Sequence, residues 1–423
     1  MEKYDVIVAG GGSAGVAAAV TAARRGARTL LVERSAVLGG QAPLALVHSI
    51  CGLYRLADEG PPVFANAGFA QEFAERMLQN GGAHGPVRMG RVWVLLTQPA
   101  AFARTAAQIA IETPGLEVRL QTELTAADDA GLHLGAPPSR AASPLRVRAT
   151  SMIDATGDAV LAALLGAACE QEPSARLQRP AYIFGLGGVA PEVADEDARF
   201  RLARRIVSAV QEGLLPPAAL GTALRANGPL GGIFVTIDLC GGSAYAPTDP
   251  TCIATLERES RSLAEDLVAF LRAHVEGFEQ CAISEYPTRI GIRESRRIVG
   301  EYRLETADLE HGATFPDTVA LATWPMELRE TNRGPRLRYP TDDRPCAIPL
   351  RALRFRDHPH CFMAGRCISS SHEAQASLRV IGTCLATGEA AGFAAAAAAN
   401  VAQASCLPRA EDAGWKPAPL QDP

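Results

Sequence analysis

Aromatic residues make up only 5% of this chain, and lysine is almost absent beside arginine. No Cys-x-x-Cys occurs among the ten cysteines, which removes the usual signature of zinc ribbons, iron–sulfur ligation and thioredoxin-like redox motifs. No metal-ligand set is expected. No Lys/Arg-rich run is present and the formal net charge is −5, so a nucleic-acid partner is not expected. Long hydrophobic runs are missing as well. The apolar stretch near Met1 breaks into glycines at Gly10, so no secretory leader is expected. The bland stretch Ala391 to Ala404 carries Asn400 and Gln403, so a membrane span is not expected either. These absences fit a cytoplasmic location with reduced thiols. What the chain does have is length: 423 residues, 48% hydrophobic, room for two to three domains at about 150 residues each and for a large core without disulfides.

The opening carries the strongest signal. Tyr4 to Ala9 is apolar apart from Asp5 and alternates little, as expected of a parallel strand buried on both faces. Gly10-Gly11-Gly12-Ser13-Ala14-Gly15 follows, then a helix from Val16 to Arg25 stopped by Gly26, then the strand Thr29 to Val32 closed by Glu33. In this context Gly10-x-Gly12-x-x-Gly15 reads as a dinucleotide fingerprint. Gly10 permits the tight turn, Gly12 lets a pyrophosphate approach the backbone, and Gly15 lets helix and strand pack closely. The helix N-terminus offers free N–H groups to the phosphates. Glu33 can accept both ribose hydroxyls and would repel a 2′-phosphate.

Further along, Phe69 to Gln79 and Pro99 to Glu112 read as helices, and Leu116 to Leu124 and Leu145 to Ala149 as strands of a small β meander around a polar, Pro-rich turn region. Ser151 to Asp154 runs as a strand into Ala155-Thr156-Gly157, and a helix follows from Ala159 to Gly166. From about 171 the pattern is mixed, with strands at Tyr182 to Val189 and Gly232 to Leu239 and a long helix from Thr251 to His274. Cys361 to Gly365 is a buried strand, and Leu378 to Asn400 a small-residue-rich helix. Gly185-Leu186-Gly187-Gly188 is not a second fingerprint, because Pro191 and acidic residues replace the required helix.

Four elements in order resemble the flavoproteins with two dinucleotide-binding domains: the fingerprint, Leu38-Gly39-Gly40, Ala155-Thr156-Gly157 and Ala364-Gly365. Three further stretches are similar to the FAD-dependent oxidoreductase (FAD-oxidored) family: Gly291 to Tyr302, Ala364 to Ser369, and Ser371 to Gly392. The resemblance implies an α/β fold, a Rossmann-like FAD-binding domain of glutathione-reductase type with an inserted mixed α+β substrate domain. It implies that residues 1–170 and 345–404 form the discontinuous FAD domain, 171–344 the substrate domain and 405–423 a loose tail. It places FAD on Gly10, Gly12, Ser13, Ala14 and Gly15, on Glu33 and Arg34, and on Gly39, Gly40 and Gln41. It adds Ala155, Thr156 and Gly157, then Gly365 and Arg366, then Arg379, Val380 and Gly382.

The implied activity is hydride transfer from a small organic substrate to flavin N5. Arg379, in the helix expected to start near Ser377 to Gly382, would add positive charge beside the reduced ring. His372 is the leading base, since imidazole titrates near neutrality. His48 is a second, in a loop expected to pass the ring, and Cys51 beside it is a candidate redox partner or flavin attachment point. Arg293, Arg296 and Arg297 could clamp a carboxylate, but an internal ion-pair network around Glu294 is the favoured reading. Electrons would leave to oxygen, a quinone or a protein. The alternatives are an NAD(P)H-using flavin monooxygenase and a flavoprotein subunit of an electron-transfer complex. The sequence is compatible with a homo-oligomer.

Overall fold

The computed structural model describes residues 1–401 apart from 57–59, 129–130, 136–144, 195, 226–227, 229–231, 240–244 and 332–333. The segment 405–423, expected to be a loose tail, lies outside the described residues, as do Cys240 and Cys406.

The first strand, Glu2–Ala9, is fully buried at Val6 to Ala9 and forms the middle of a seven-stranded sheet. Thr29–Val32 and then Leu116–Arg119 pair on one side of it, and Leu145–Asp154 on the other, all in parallel. Cys361–Met363, from the far end of the sequence, joins the same sheet parallel to Met152 to Asp154. Gly131–Gly135 and Glu123–Asp128 complete it as the antiparallel meander. The meander's last strand and the strand before Ala155-Thr156-Gly157 are one continuous element, Leu145–Asp154, where the sequence suggests two. Its outer half is half exposed and its inner half buried, which obscures a single pattern.

The helix Ser13–Arg24 and the helix Ile381–Val401 cover one face of this sheet. They touch through small residues. A Cβ on Gly388 would overlap the Ala14 carbonyl oxygen, and one on Gly392 the Ala18 carbonyl oxygen. The 381–401 helix is long and apolar enough to cross a membrane, and most of that stretch is buried inside the fold.

The middle of the chain builds a second, four-stranded antiparallel sheet in the order Thr222–Arg225, Ile233–Asp238, Ala181–Gly187, Ala282–Glu285. One face, with Tyr182, Phe184, Leu224, Val235 and Ile237, packs under the helices Glu196–Gln211 and Pro250–His274. The opposite face, with Ala181, Ile183 and Phe234, meets Leu46 and Val47 of the N-terminal part. The expected break at 344/345 falls between two paired strands, Thr318–Ala322 and Cys346–Pro349. Val319, Ala320 and Met326 share a core with Met363 and Ile368, so this part of the expected substrate segment packs with the C-terminal elements.

Candidate active site

The fingerprint folds as a cradle. Gly10 has φ +95°, and a Cβ there would press on the Ala155 carbonyl. Gly12 caps the helix Ser13–Arg24 without a side chain, so the N–H groups of Ser13, Ala14 and Gly15 keep no intrahelical partner. Gly39 and Gly40, both at positive φ, face this turn, with the Gly39 N–H donating to the Gly11 carbonyl at 2.8 Å. A Cβ on Gly12 would meet nothing nearer than the Gly40 Cα at 3.9 Å. That is ordinary van der Waals contact, so Gly12 and Gly40 pack backbone to backbone and no side chain stands between the free N–H groups of the helix start and an approaching pyrophosphate. Glu33 is 7% exposed and accepts the N–H groups of Gly11 (2.6 Å) and Ser35 (2.7 Å), one on each oxygen. Each oxygen keeps a lone pair for a ribose hydroxyl. Arg34 is half exposed and lies 3.9 Å from Asp158. The Gln41 amide oxygen accepts the Ile292 N–H at 3.2 Å, tying the glycine turn to the 290s.

Below the cradle, Asp154 is fully buried and accepts the Thr156 N–H and hydroxyl and the Ala162 N–H, which shapes the Ala155-Thr156-Gly157 turn. Burial raises its carboxyl above the usual range. Arg366 is spent on this turn. Its guanidinium donates to the Gly157 carbonyl (2.9 Å), to Asp158 (2.6 Å) and to the Ile292 carbonyl. Gly365, at φ +78°, packs on Ala14.

The C-terminal helix expected to start near Ser377 is two helices. His372–Leu378 ends at Arg379, and Ile381–Val401 begins after Val380. The Gly382 N–H donates to the Cys51 carbonyl at 2.9 Å, and a Cβ on Gly382 would collide with Gly52 and Leu53. The 48–53 loop is thereby pinned to this helix start. The Arg379 guanidinium donates to the Glu327 carbonyl at 3.2 Å, while its buried Nε has no partner among the described residues. Burial pushes Arg379 down to about 10, opposed by Glu327 and assisted by Arg293 and Arg329.

The two histidines are placed differently. His48 stacks on Phe234 with ring centroids 4.3 Å apart and planes 12° apart. Its Nδ1 lies 3.0 Å from the Leu46 carbonyl, which can only accept, so Nδ1 carries the proton and Nε2 the lone pair. No hydrogen bond to that Nε2 occurs among the described residues. Burial lowers its pKa to about 4, so the ring is neutral at ordinary pH. His372 is held between two carboxylates, Nδ1 at 2.9 Å from Glu294 and Nε2 at 3.0 Å from Glu330. Burial alone would depress it, but Glu294 and Glu330 together raise its pKa. Both nitrogens are occupied, and the geometry makes His372 an internal tie where the sequence suggests a base. Burial pushes Cys51 up to about 12, so it is a thiol.

The arginines of the 290s are internal, as the favoured reading has it. Arg293 binds Asp238 (2.7 Å) and the Arg179 carbonyl (2.6 Å), Arg296 binds the Asp158 carbonyl (2.9 Å), and Arg297 binds Glu294, Glu172 and the Ser370 carbonyl. Sequence reasoning missed the partners beside Arg379. Arg329 bridges Asp238 (2.5 Å) and Glu327 (2.6 Å), and Glu327 also accepts the Trp324 indole N–H at 3.0 Å. Alternating charge in Glu327-Leu328-Arg329-Glu330 is the one signal that could have drawn attention to them.

No curated protein matches the sequence significantly. Among solved structures, the fold is similar to a geranylgeranyl bacteriochlorophyll reductase-like protein from Thermoplasma acidophilum, at 14% identity and TM-score 0.43, covering 95% of this chain and 79% of that one. It is also similar to the p-nitrophenol 4-monooxygenase PnpA from Pseudomonas putida DLL-E4 (12%, TM-score 0.42, 95% and 80%). A third is the anhydrotetracycline hydroxylase OxyS from Streptomyces rimosus (14%, TM-score 0.43, 95% and 63%). The family model described as FAD dependent oxidoreductase matches residues 5–408, nearly the whole chain. With that match spanning the uncapped glycine cradle, the chain belongs to the FAD dependent oxidoreductase family and is an enzyme whose cofactor is FAD.

Proposed function

We infer that the protein oxidises a small organic molecule by hydride transfer to its flavin, with His48 taking the accompanying proton. The observation that carries this is His48 itself: a neutral ring with its tautomer fixed by Leu46 and Nε2 without a partner among the described residues, in the loop pinned to the Arg379 turn. Bound FAD supplies an acceptor for two electrons. The cradle residues Gly12, Ser13, Ala14 and Gly40 hold its pyrophosphate, and Glu33 its ribose. Arg379, with a buried Nε left over, supplies positive charge where the reduced cofactor gains negative charge. Arg366 and His372 position these pieces, Arg366 by holding the Gly157 turn and His372 by joining Glu294 to Glu330. The finer fold reading, a glutathione-reductase-type FAD domain with an inserted substrate domain, is supported by the parallel order of the large sheet and the late entry of Cys361–Met363. The separate core around the four-stranded sheet supports it too.

The test is anaerobic bleaching of the flavin absorbance across a substrate panel. With a substrate that bleaches the wild type, His48→Gln should slow reduction by roughly a hundredfold, the lower range for a general base, with FAD content unchanged. An unchanged rate removes His48 from the reaction.

A further inference from the structure

The face of the four-stranded sheet turned towards the 45–53 loop is only partly covered. Side chains alternate along Thr222–Arg225, so Leu224 enters the helix-covered core while Ala223 and Arg225 point the other way. Arg225 pairs directly opposite Phe234, the residue on which His48 stacks. Ala223 pairs opposite Thr236, and both are partly open, while Arg225 is exposed. Arg225 donates only to its neighbour's carbonyl, Leu224 at 3.2 Å, and forms no ion pair among the described residues. The adjoining sequence, residues 226–231 and 240–244, contains no acidic residue.

The charge balance of this region is uneven. Among the described residues, Glu327 acts on Arg225, Arg293, Arg329 and Arg379, and Asp238 on Arg293 and Arg329. Both carboxylates are used by Arg293 and Arg329. Arg225 is open to solvent on the sheet face, yet the protein packed around it partly desolvates its guanidinium and lowers it from its ordinary value; Arg329 and Arg199 add to the shift and Glu327 opposes it. The excess positive charge sits beside His48, whose protonation Arg225 opposes.

We propose that this open sheet face binds the carboxylate of a small organic acid, with Arg225 as its anchor beside His48. The proposal rests on the oxidation assigned above and names its substrate class. Arg225 takes the carboxylate through its two-pronged guanidinium, and Arg379 remains for the cofactor side. The anion supplies the charge the cluster lacks, and it does so without disturbing the Asp238 and Glu327 pairs.

The experiment is calorimetry on the FAD-loaded full chain at constant ionic strength. Acetate and benzoate serve as probes, and acetamide and benzamide as their neutral counterparts. The acids should bind at least about tenfold more tightly than the amides, as expected for a charge-assisted bidentate contact. Arg225→Gln should erase that preference and Arg225→Lys should keep part of it. Both variants should hold FAD as the wild type does, which shows that they are folded. Equal binding of acids and amides, or a preference that survives Arg225→Gln, overturns the proposal. Because heat is read without turnover, a failure to bleach the flavin would count against the oxidation and leave this result standing.

Discussion

Gly12 and Gly15 belong to one motif, yet the structure gives their substitution opposite consequences. At Gly12 the backbone has φ −69° and ψ −178°, which any residue adopts, and an added Cβ meets only Gly40 Cα at 3.9 Å. In the apoprotein, Gly12→Ala gains about 0.4–1 kcal/mol from a stiffer unfolded chain. It loses about as much because alanine is a poorer N-cap than glycine. Apoprotein stability should therefore stay within about 1 kcal/mol of wild type. The methyl group does stand beside the free N–H groups of the helix start, where the pyrophosphate would approach the backbone. Displacing one charged hydrogen bond costs about 1.5–3 kcal/mol, roughly ten- to a hundredfold in FAD affinity. At Gly15 the added Cβ overlaps the Gly10 carbonyl oxygen, so the helix must move off the strand, at about 1–3 kcal/mol of folding stability. Urea unfolding of the apoproteins and FAD titration by fluorescence quenching separate the two effects. If Gly12→Ala binds FAD like the wild type, the pyrophosphate does not lie over Gly12 and the cradle is misread.

Further expectations follow from other contacts. Gly388→Ala puts a methyl into the Ala14 carbonyl and should cost about 1–3 kcal/mol in urea unfolding; no change would mean the two helices can separate freely. His372 has a raised pKa, so its contribution is complete below the unfolded value of about 6.5 and is lost as pH rises through the higher folded value. His372→Gln should therefore destabilise most near pH 6 and progressively less above it; a deficit that does not depend on pH would refute the tie to Glu294 and Glu330. Arg379→Met should lower the flavin reduction potential by at least about 30 mV, the equivalent of about 1.4 kcal/mol for two electrons, while the protein still binds FAD. An unchanged potential in a redox titration would place Arg379 away from the ring. Cys51 is held as a thiol, so acid precipitation should release all the FAD, and Cys51→Ser should behave identically.

Where local chemistry dictates structure, the sequence was readable. The strand, glycine turn, helix and acidic strand end between Tyr4 and Glu33 are contiguous, and each residue type there has one physical job. The C-terminal break at Arg379 and Val380 was not readable, because nothing local stops a helix there; the Cys51–Leu53 backbone crowding Gly382 does. The histidines show the same division. His48 and His372 look alike as lone histidines, and only the packing of distant residues separates them: Phe234 on one, Glu294 and Glu330 on the other. The Arg329 bridge joins residues about ninety positions apart, Asp238 and Glu327, which no spacing rule connects.

The crossing of the first and last helices also sets an order of events. Gly388 and Gly392 rest on Ala14 and Ala18, and Gly382 holds the loop at Cys51. As the chain leaves the ribosome, the opening strand–turn–helix unit exists long before the residues that press on it. The most sequence-distant contacts are thus the ones that finish the flavin site, a high-contact-order closure that is slow by nature. A nascent chain ending before about residue 381 would carry the whole fingerprint and still lack the surface that closes over it. On this geometry cofactor capture in the cell would be a late event, timed by synthesis of the last helix rather than of the motif that identifies it.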